Sequence, residues 1–221
     1  MTRHELREFA DAETAARAAG AFIASLIAET IAARGECSIA LSGGTTPGPA
    51  FRALAAMDVD WDHLAIFQVD ERIAPDGDEH RNLTQLDECL GALPARISAM
   101  PVTDADLDAA ADAYAAQLPE RFDLVHLGLG PDGHTASLVP GDPVLEVRDR
   151  LVAVTAAYQG TQRMTLTYPA LGRADLVLWL LSGEDKRDAL ARLLSGDESI
   201  PAGRISSPRS VVMADAAAAS S

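Results

Sequence analysis

Asp123-Leu-Val-His-Leu-Gly-Leu-Gly-Pro-Asp-Gly-His134 carries both the fold and the chemistry of this chain in one stretch. Residues 123–129 form an apolar run of strand length that gives way to Gly130-Pro131-Asp132-Gly133-His134. A short unbroken apolar run reads as a strand covered on both faces, as in a parallel sheet packed between helices.

Working outward, the same alternation recurs. Ala15, Ala19, Phe22, Ile23, Leu26, Ile27 and Ile31 repeat at helical spacing over about 11–34, and Gly35 stands where a helix would stop. Cys37–Leu41 reads as a buried strand, followed by Ser42-Gly-Gly-Thr-Thr-Pro47 and a helix through Met57. Leu64–Val69 is a further strand, ending in Asp70-Glu71-Arg72, with helices expected over Asn82–Leu90 and Asp104–Leu118. Leu151–Thr155 and Asp175–Leu181 read as strands, Glu184–Leu194 as a helix and Val211–Met213 as a last short strand, with a frayed tail after Asp215. The expectation is a single α/β domain over 1–221, built on a mainly parallel sheet with helices on both faces. Ligands of such sheets bind beyond the carboxyl ends of the strands, and the polar clusters 42–46, 70–72 and 130–135 all fall there.

Composition narrows the function. Of 221 residues 48% are apolar and only 5% aromatic, which suits alanine-rich helices packed on a sheet. The net charge of −15 disfavours nucleic acid, which is bound by clustered Lys and Arg. It also means that an anionic substrate must be held by a few placed cations and amides. Cys37 and Cys89 are expected to be reduced and buried. The first eight residues lack the apolar core of a signal peptide, and no apolar run reaches the ~18–20 residues of a bilayer span. A cytoplasmic enzyme without a membrane partner is expected.

Ser42, Gly43, Gly44, Thr45 and Thr46 combine close backbone approach, hydroxyl donors and a following helix, which suits a phosphate. A tight, hydroxyl-capped strand-to-helix turn is the alternative. In Asp70-Glu71-Arg72 a carboxylate could orient a base or water while Arg72 holds an oxyanion or phosphate; a solvated turn is the alternative. Gly128 to Gly133 matches G-x-G-x-x-G by letter, but Pro131, Asp132 and the immediate His134-Thr135 argue against a dinucleotide site. An imidazole at a glycine-lined strand end beside Asp132 suits His134 to general-base work. His63 and His80 read as surface residues, His126 as a satisfied core histidine, and His4 as part of a mobile terminus. Lys186 and Arg163 are either solvated or phosphate ligands. The His and Cys spacing predicts no metal.

Taken in order, Leu41-Ser-Gly-Gly-Thr-Thr-Pro47, Val69-Asp-Glu-Arg72 with Asn82, Gly128-Leu-Gly-Pro-Asp-Gly-His-Thr-Ala-Ser-Leu138 with Pro140, Arg163-Met-Thr165 and Gly183-Glu-Asp-Lys186 resemble the 6-phosphogluconolactonase family. The resemblance implies a modified Rossmann-like fold shared with glucosamine-6-phosphate deaminase and ribose-5-phosphate isomerase. It implies hydrolysis of 6-phosphoglucono-δ-lactone in the oxidative pentose phosphate pathway, with no cofactor. The substrate would be a small sugar-phosphate lactone and the protein a monomer or weak homodimer. In that scheme the 42–46 turn, Lys186 and Arg163 grip the phosphate and His134 activates water. Arg72 or the Gly43–Gly44 amides meet the oxyanion, and Asp70 or Asp132 aligns the base. The related deaminase pattern carries an aromatic residue after Asp-Glu and a glutamate five residues after the histidine, where this chain has Arg72 and Val139. Glu79-His-Arg-Asn82 departs from the Ser-Asn pairing of many members. A sugar-phosphate-binding regulator would be expected to lack the histidine or to carry a further domain.

Overall fold

A computed structural model describes residues 4–44, 46–91 and 93–220. The strands are β1 (His4–Phe9), β2 (Cys37–Leu41), β3 (Leu64–Gln68), β4 (Asp70–Arg72), β5 (Arg96–Ser98), β6 (Leu124–Leu127), β7 (Val152–Val154), β8 (Arg163–Leu166), β9 (Leu176–Leu181) and β10 (Arg209–Asp215). The helices are α1 (Ala12–Arg34), α2 (Gly48–Ala55), α3 (Asn82–Leu90), α4 (Leu107–Ala115), α5 (Tyr168–Leu171), α6 (Arg187–Leu194) and α7 (Ala216–Ala219). Among the described residues the strands form two sheets. The larger is parallel throughout, in the order β1-β10-β9-β6-β2-β3-β5. The smaller is antiparallel, in the order β4-β8-β7.

Alternation along the central strands divides the core between two faces. Leu176, Leu178 and Leu180 of β9 join Ile39 and Leu41 of β2 under α1 and α2. Val177, Trp179 and Leu181 point the other way, into a core with α4, α5 and α6. Helices therefore cover both faces, as the apolar runs predict.

Local chemistry sets the ends of the longest helix. Asp11 accepts from the Thr14 amide at 2.8 Å, and Gly35, at φ 85°, ends α1 by donating to Ile31 O. By length and composition α1 could cross a bilayer, although the sequence was read as holding no such run. Its Ala15, Ala19, Ile23 and Ile27 stripe is buried against the sheet, which makes it a core-facing helix.

Several expectations are corrected. Asp70–Arg72 is a strand, because its register against Arg163–Thr165 comes from residues about 90 positions away and leaves no local pattern. His4 sits in β1, with Nδ1 2.8 Å from Ser210 Oγ. The last strand spans 209–215, and the tail expected to fray forms α7, whose Ala218 amide is capped by Asp215 at 2.8 Å. The predicted 104–118 helix is confined to Leu107–Ala115, starting where Asp106 accepts from Ala109 N. The first turn of the 184–194 segment is a 3₁₀ turn. Cys37 is buried but Cys89 is only half-buried, and both are free thiols.

Candidate active site

Beyond the carboxyl ends of β2, β6 and β9 lies a cavity of about 230 Å³. Ser42, Gly43, Gly44, Thr46, Asp70, Arg72, His134, Arg163 and Lys186 all line it, so the structure gathers most of the predicted site. Asp132 is not among the described lining residues and reaches the cavity through His134. Thr45 lies outside the described residues.

His134 is held by its own loop. Gly130 donates its N–H to His134 O at 2.8 Å, and Gly133 donates to Gly130 O at 2.9 Å. The ring then packs so closely on Gly130 that an added Cβ there would lie 2.1 Å from His134 Nδ1. Asp132 Oδ1 accepts from the His134 amide at 3.1 Å and lies 2.5 Å from His134 Nδ1. A carboxylate only accepts, so Nδ1 carries a proton and Nε2 is left as the basic nitrogen of the neutral ring. Burial pushes the Asp132 carboxyl upward, but the His134 amide and imidazole outweigh it and hold the carboxyl below its usual range. Asp132, not Asp70, is the residue on His134.

Asp70 lines the same cavity but is bonded elsewhere. Burial raises its pKa, opposed by a 2.5 Å hydrogen bond from Ser137 Oγ and by the nearby Arg163 charge. Asn82 Nδ2 donates to both Asp70 O at 2.8 Å and Asp70 Oδ1 at 3.0 Å. Asn82 also packs on Gly43, where a Cβ would fall 2.2 Å from its Oδ1.

Glu71 has a structural task that the sequence reading missed. Wholly buried, it accepts from the amides of Asn82 at 2.7 Å and Leu83 at 2.8 Å, capping the start of α3 from another element. Arg81 Nε approaches it at 3.5 Å, so the 79–82 loop supplies the counter-charge of a buried carboxylate. The Gly44 amide, expected to be open to an anion, is taken by Gln85 Oε1 of α3 at 2.8 Å.

Arg72 and Arg163 are direct cross-strand partners in the β4–β8 register. Like charges so placed destabilise a sheet by a fraction of a kcal/mol up to about 1 kcal/mol. Arg163 is 7% exposed, and burial lowers its pKa, opposed by the Asp70 carboxylate and reinforced by the neighbouring Arg72 charge. Its Nε is buried without a hydrogen-bond partner. Arg72 Nη1 is anchored to His80 O at 2.6 Å and Asn82 Oδ1 at 3.1 Å. With Lys186, ion-paired to Asp185 at 2.9 Å, also lining the cavity, a chain of net charge −15 has gathered three cationic side chains around one opening. Such a wall is built for an anion.

The loop after β6 departs from a dinucleotide fold. It runs from Gly133 into a Thr135–Leu138 bridge, with Ala136 at φ 51°, rather than into a helix whose N-terminus could meet a pyrophosphate. Ser137 and Thr135 belong to this bridge. Thr135 Oγ1 bonds Gly128 O within the same loop, whereas the role of Ser137 was invisible locally because its partner, Asp70, comes from another strand end.

The model of a family described as "Glucosamine-6-phosphate isomerases/6-phosphogluconolactonase" matches residues 10–214. The chain belongs to this family. A 6-phosphogluconolactonase of Streptomyces coelicolor is 38% identical, with 95% of this chain and 91% of the relative covered. One from Synechocystis is 38% identical over 188 residues, 78% of each chain. The crystal structure of a 6-phosphogluconolactonase from Shewanella baltica superposes with a TM-score of 0.87 at 28% identity, covering 98% of both chains. The expected fold is thereby established. The family's description spans both activities, so the choice between them falls to the site.

Proposed function

We propose that the chain hydrolyses 6-phospho-D-glucono-1,5-lactone to 6-phosphogluconate, with His134 as the general base that activates water. The observation that carries this reading is the His134–Asp132 pair at 2.5 Å, set in a cavity that also holds Arg72, Arg163 and Lys186. The names of the relatives favour a lactonase. So does Val139, a buried apolar residue where the deaminase pattern has its ring-opening glutamate.

Lys186, Arg163 and the hydroxyls of Ser42 and Thr46 bind the 6-phosphate, and this binding places the lactone carbonyl near His134. His134 Nε2 takes a proton from water as the water oxygen bonds to C1. The carbonyl π pair moves to oxygen, and Arg72 faces the resulting oxyanion, since the Gly44 amide is engaged by Gln85. As the tetrahedral intermediate collapses, the C1–ring-oxygen bond breaks. The imidazolium returns its proton to the departing ring oxygen. Asp132 keeps the imidazole in one orientation and stabilises its charged form.

The test is a time course of 6-phosphogluconolactone opening with and without the protein, with glucosamine 6-phosphate as a parallel substrate. Accelerated lactone opening without deamination is expected. Opening at the spontaneous rate, or deamination, overturns the reading.

A further inference from the structure

The hairpin joining β7 to β8 brings an aromatic ring to the site that neither the sequence motifs nor the proposed chemistry uses. Tyr158 and Thr161 exchange backbone hydrogen bonds at 3.0 and 3.2 Å around Gln159 (φ 51°) and Gly160 (φ 82°). Two consecutive left-handed residues make a type I′-like turn, which fixes where the Tyr158 Cα stands. The half-buried ring meets His134 edge-on, centroids 5.7 Å apart at 61°. The same ring carries the guanidinium of Arg163, whose Cζ lies 5.3 Å from its centroid. Asp132 and the closely packed Gly130 hold the Nδ1 edge of the imidazole, and Tyr158 adds the aromatic contact on the ring. The Arg163 guanidinium also feels the Asp70 carboxylate, and with its buried Nε lacking a hydrogen-bond partner the aromatic face is a second contact that holds it.

We infer that Tyr158 is a positioning residue for the lactonase reaction, its ring fixing at once the imidazole of His134 and the anion-binding guanidinium of Arg163. The inference rests on the proposed role of His134 and deepens it: one side chain sets the spacing between the proton acceptor and the phosphate-binding cation. Aromatic faces attract cations and hold planar partners, and it is the ring rather than the phenol hydroxyl that makes both contacts. Small displacements of reacting groups are costly in rate.

The test compares Tyr158→Phe with Tyr158→Leu. The Phe variant should keep kcat for 6-phosphogluconolactone within about threefold of wild type, since the ring contacts survive. The Leu variant should lose at least about tenfold in kcat and bind 6-phosphogluconate at least about fivefold more weakly, with an unchanged melting temperature. Should Leu impair folding, Tyr158→Met carries the same comparison. The ring-proton resonances of His134 should be alike in wild type and Phe and displaced in Leu, an NMR readout that needs no turnover. Leu behaving as wild type in kcat and in 6-phosphogluconate binding overturns the inference, as does Phe being as damaged as Leu. If the wild-type protein opens no lactone, the functional reading falls, and the NMR and binding comparisons alone decide whether Tyr158 positions these groups.

Discussion

Asp132 and His134 stand two residues apart, and the turn between them folds so that one carboxylate oxygen receives both the His134 amide at 3.1 Å and its Nδ1 at 2.5 Å. A partner so close in sequence needs no tertiary assembly to find its histidine. His134→Ala should lower kcat by at least about a hundredfold while leaving 6-phosphogluconate binding nearly intact, because the base acts in the chemical step. Asp132→Asn should retain the ring contact but lose the stabilisation of the imidazolium, with a loss of about tenfold or more in kcat and little change in KM. Steady-state kinetics beside calorimetric titration of 6-phosphogluconate separates these effects.

Arg163 faces Arg72 across the strands and feels the buried Asp70 carboxylate, so its removal has opposed effects on stability and a single effect on binding. Arg163→Met removes one of two facing like charges but also a counter-charge of Asp70. Its melting temperature should stay close to that of the wild type. Affinity for 6-phosphogluconate should fall at least about tenfold, the scale of one lost charged hydrogen bond. Thermal denaturation with and without the ligand measures both. A variant that melts lower and still binds normally contradicts the assignment of Arg163 to the anion.

Glu71 should prove structural. Glu71→Ala leaves Arg81 with Asp76 alone, removes the acceptor of Gln68 Nε2 and uncaps α3, for an expected loss of about 3–5 kcal/mol in unfolding free energy by denaturant titration. Glu71→Gln, which keeps one acceptor oxygen where Glu71 offers a separate oxygen to each of the Asn82 and Leu83 amides, should lose less. Equal losses would mean that the charge on Glu71 matters more than its acceptor geometry.

His126 makes stability depend on pH. It is 1% exposed, with Ser42 Oγ 3.0 Å from Nδ1 and the Phe51 ring against it, and burial lowers its pKa to about 4. An unfolded chain takes up this proton near pH 6.5, whereas the folded one resists it down to about 4. The unfolded state therefore binds more protons in that window, and stability is lost as pH falls from about 6.5 toward 4, by at most about 3 kcal/mol. His126→Leu should show a shallower decline than wild type across that range. Parallel curves for the two proteins would contradict this linkage.

The strands and helices of the main sheet were legible because each buries its own periodic set of side chains. Leu176–Leu181, Cys37–Leu41 and the α1 stripe announce their faces without reference to any partner. The smaller sheet was not legible. Asp70-Glu71-Arg72 is polar and three residues long, and only its pairing with Arg163–Thr165 makes it a strand. Much of the site followed the same divide. Ser42, Gly43, Gly44 and His134 lie in turns whose residue types mark them as lining a site, as the cavity does, and the Gly-x-Gly-x-Asp-Gly-His string points to the family. The tasks of Glu71, Asn82, Ser137 and Tyr158 stayed hidden, because each acts on a residue brought from another element.

The sequence by itself thus determined the parallel α/β framework and the family, and placed Asp132 two residues from His134 without choosing between it and Asp70 as the partner, since these features depend on periodicity and on local motifs. The tertiary structure alone decided that Asp70 serves Ser137 and Asn82 rather than the imidazole, that Gln85 closes the Gly44 amide, and that Arg72 faces Arg163. Those outcomes turn on strand register and on which loop ends meet. Both are fixed by burying apolar surface across the whole chain, and no local pattern encodes them.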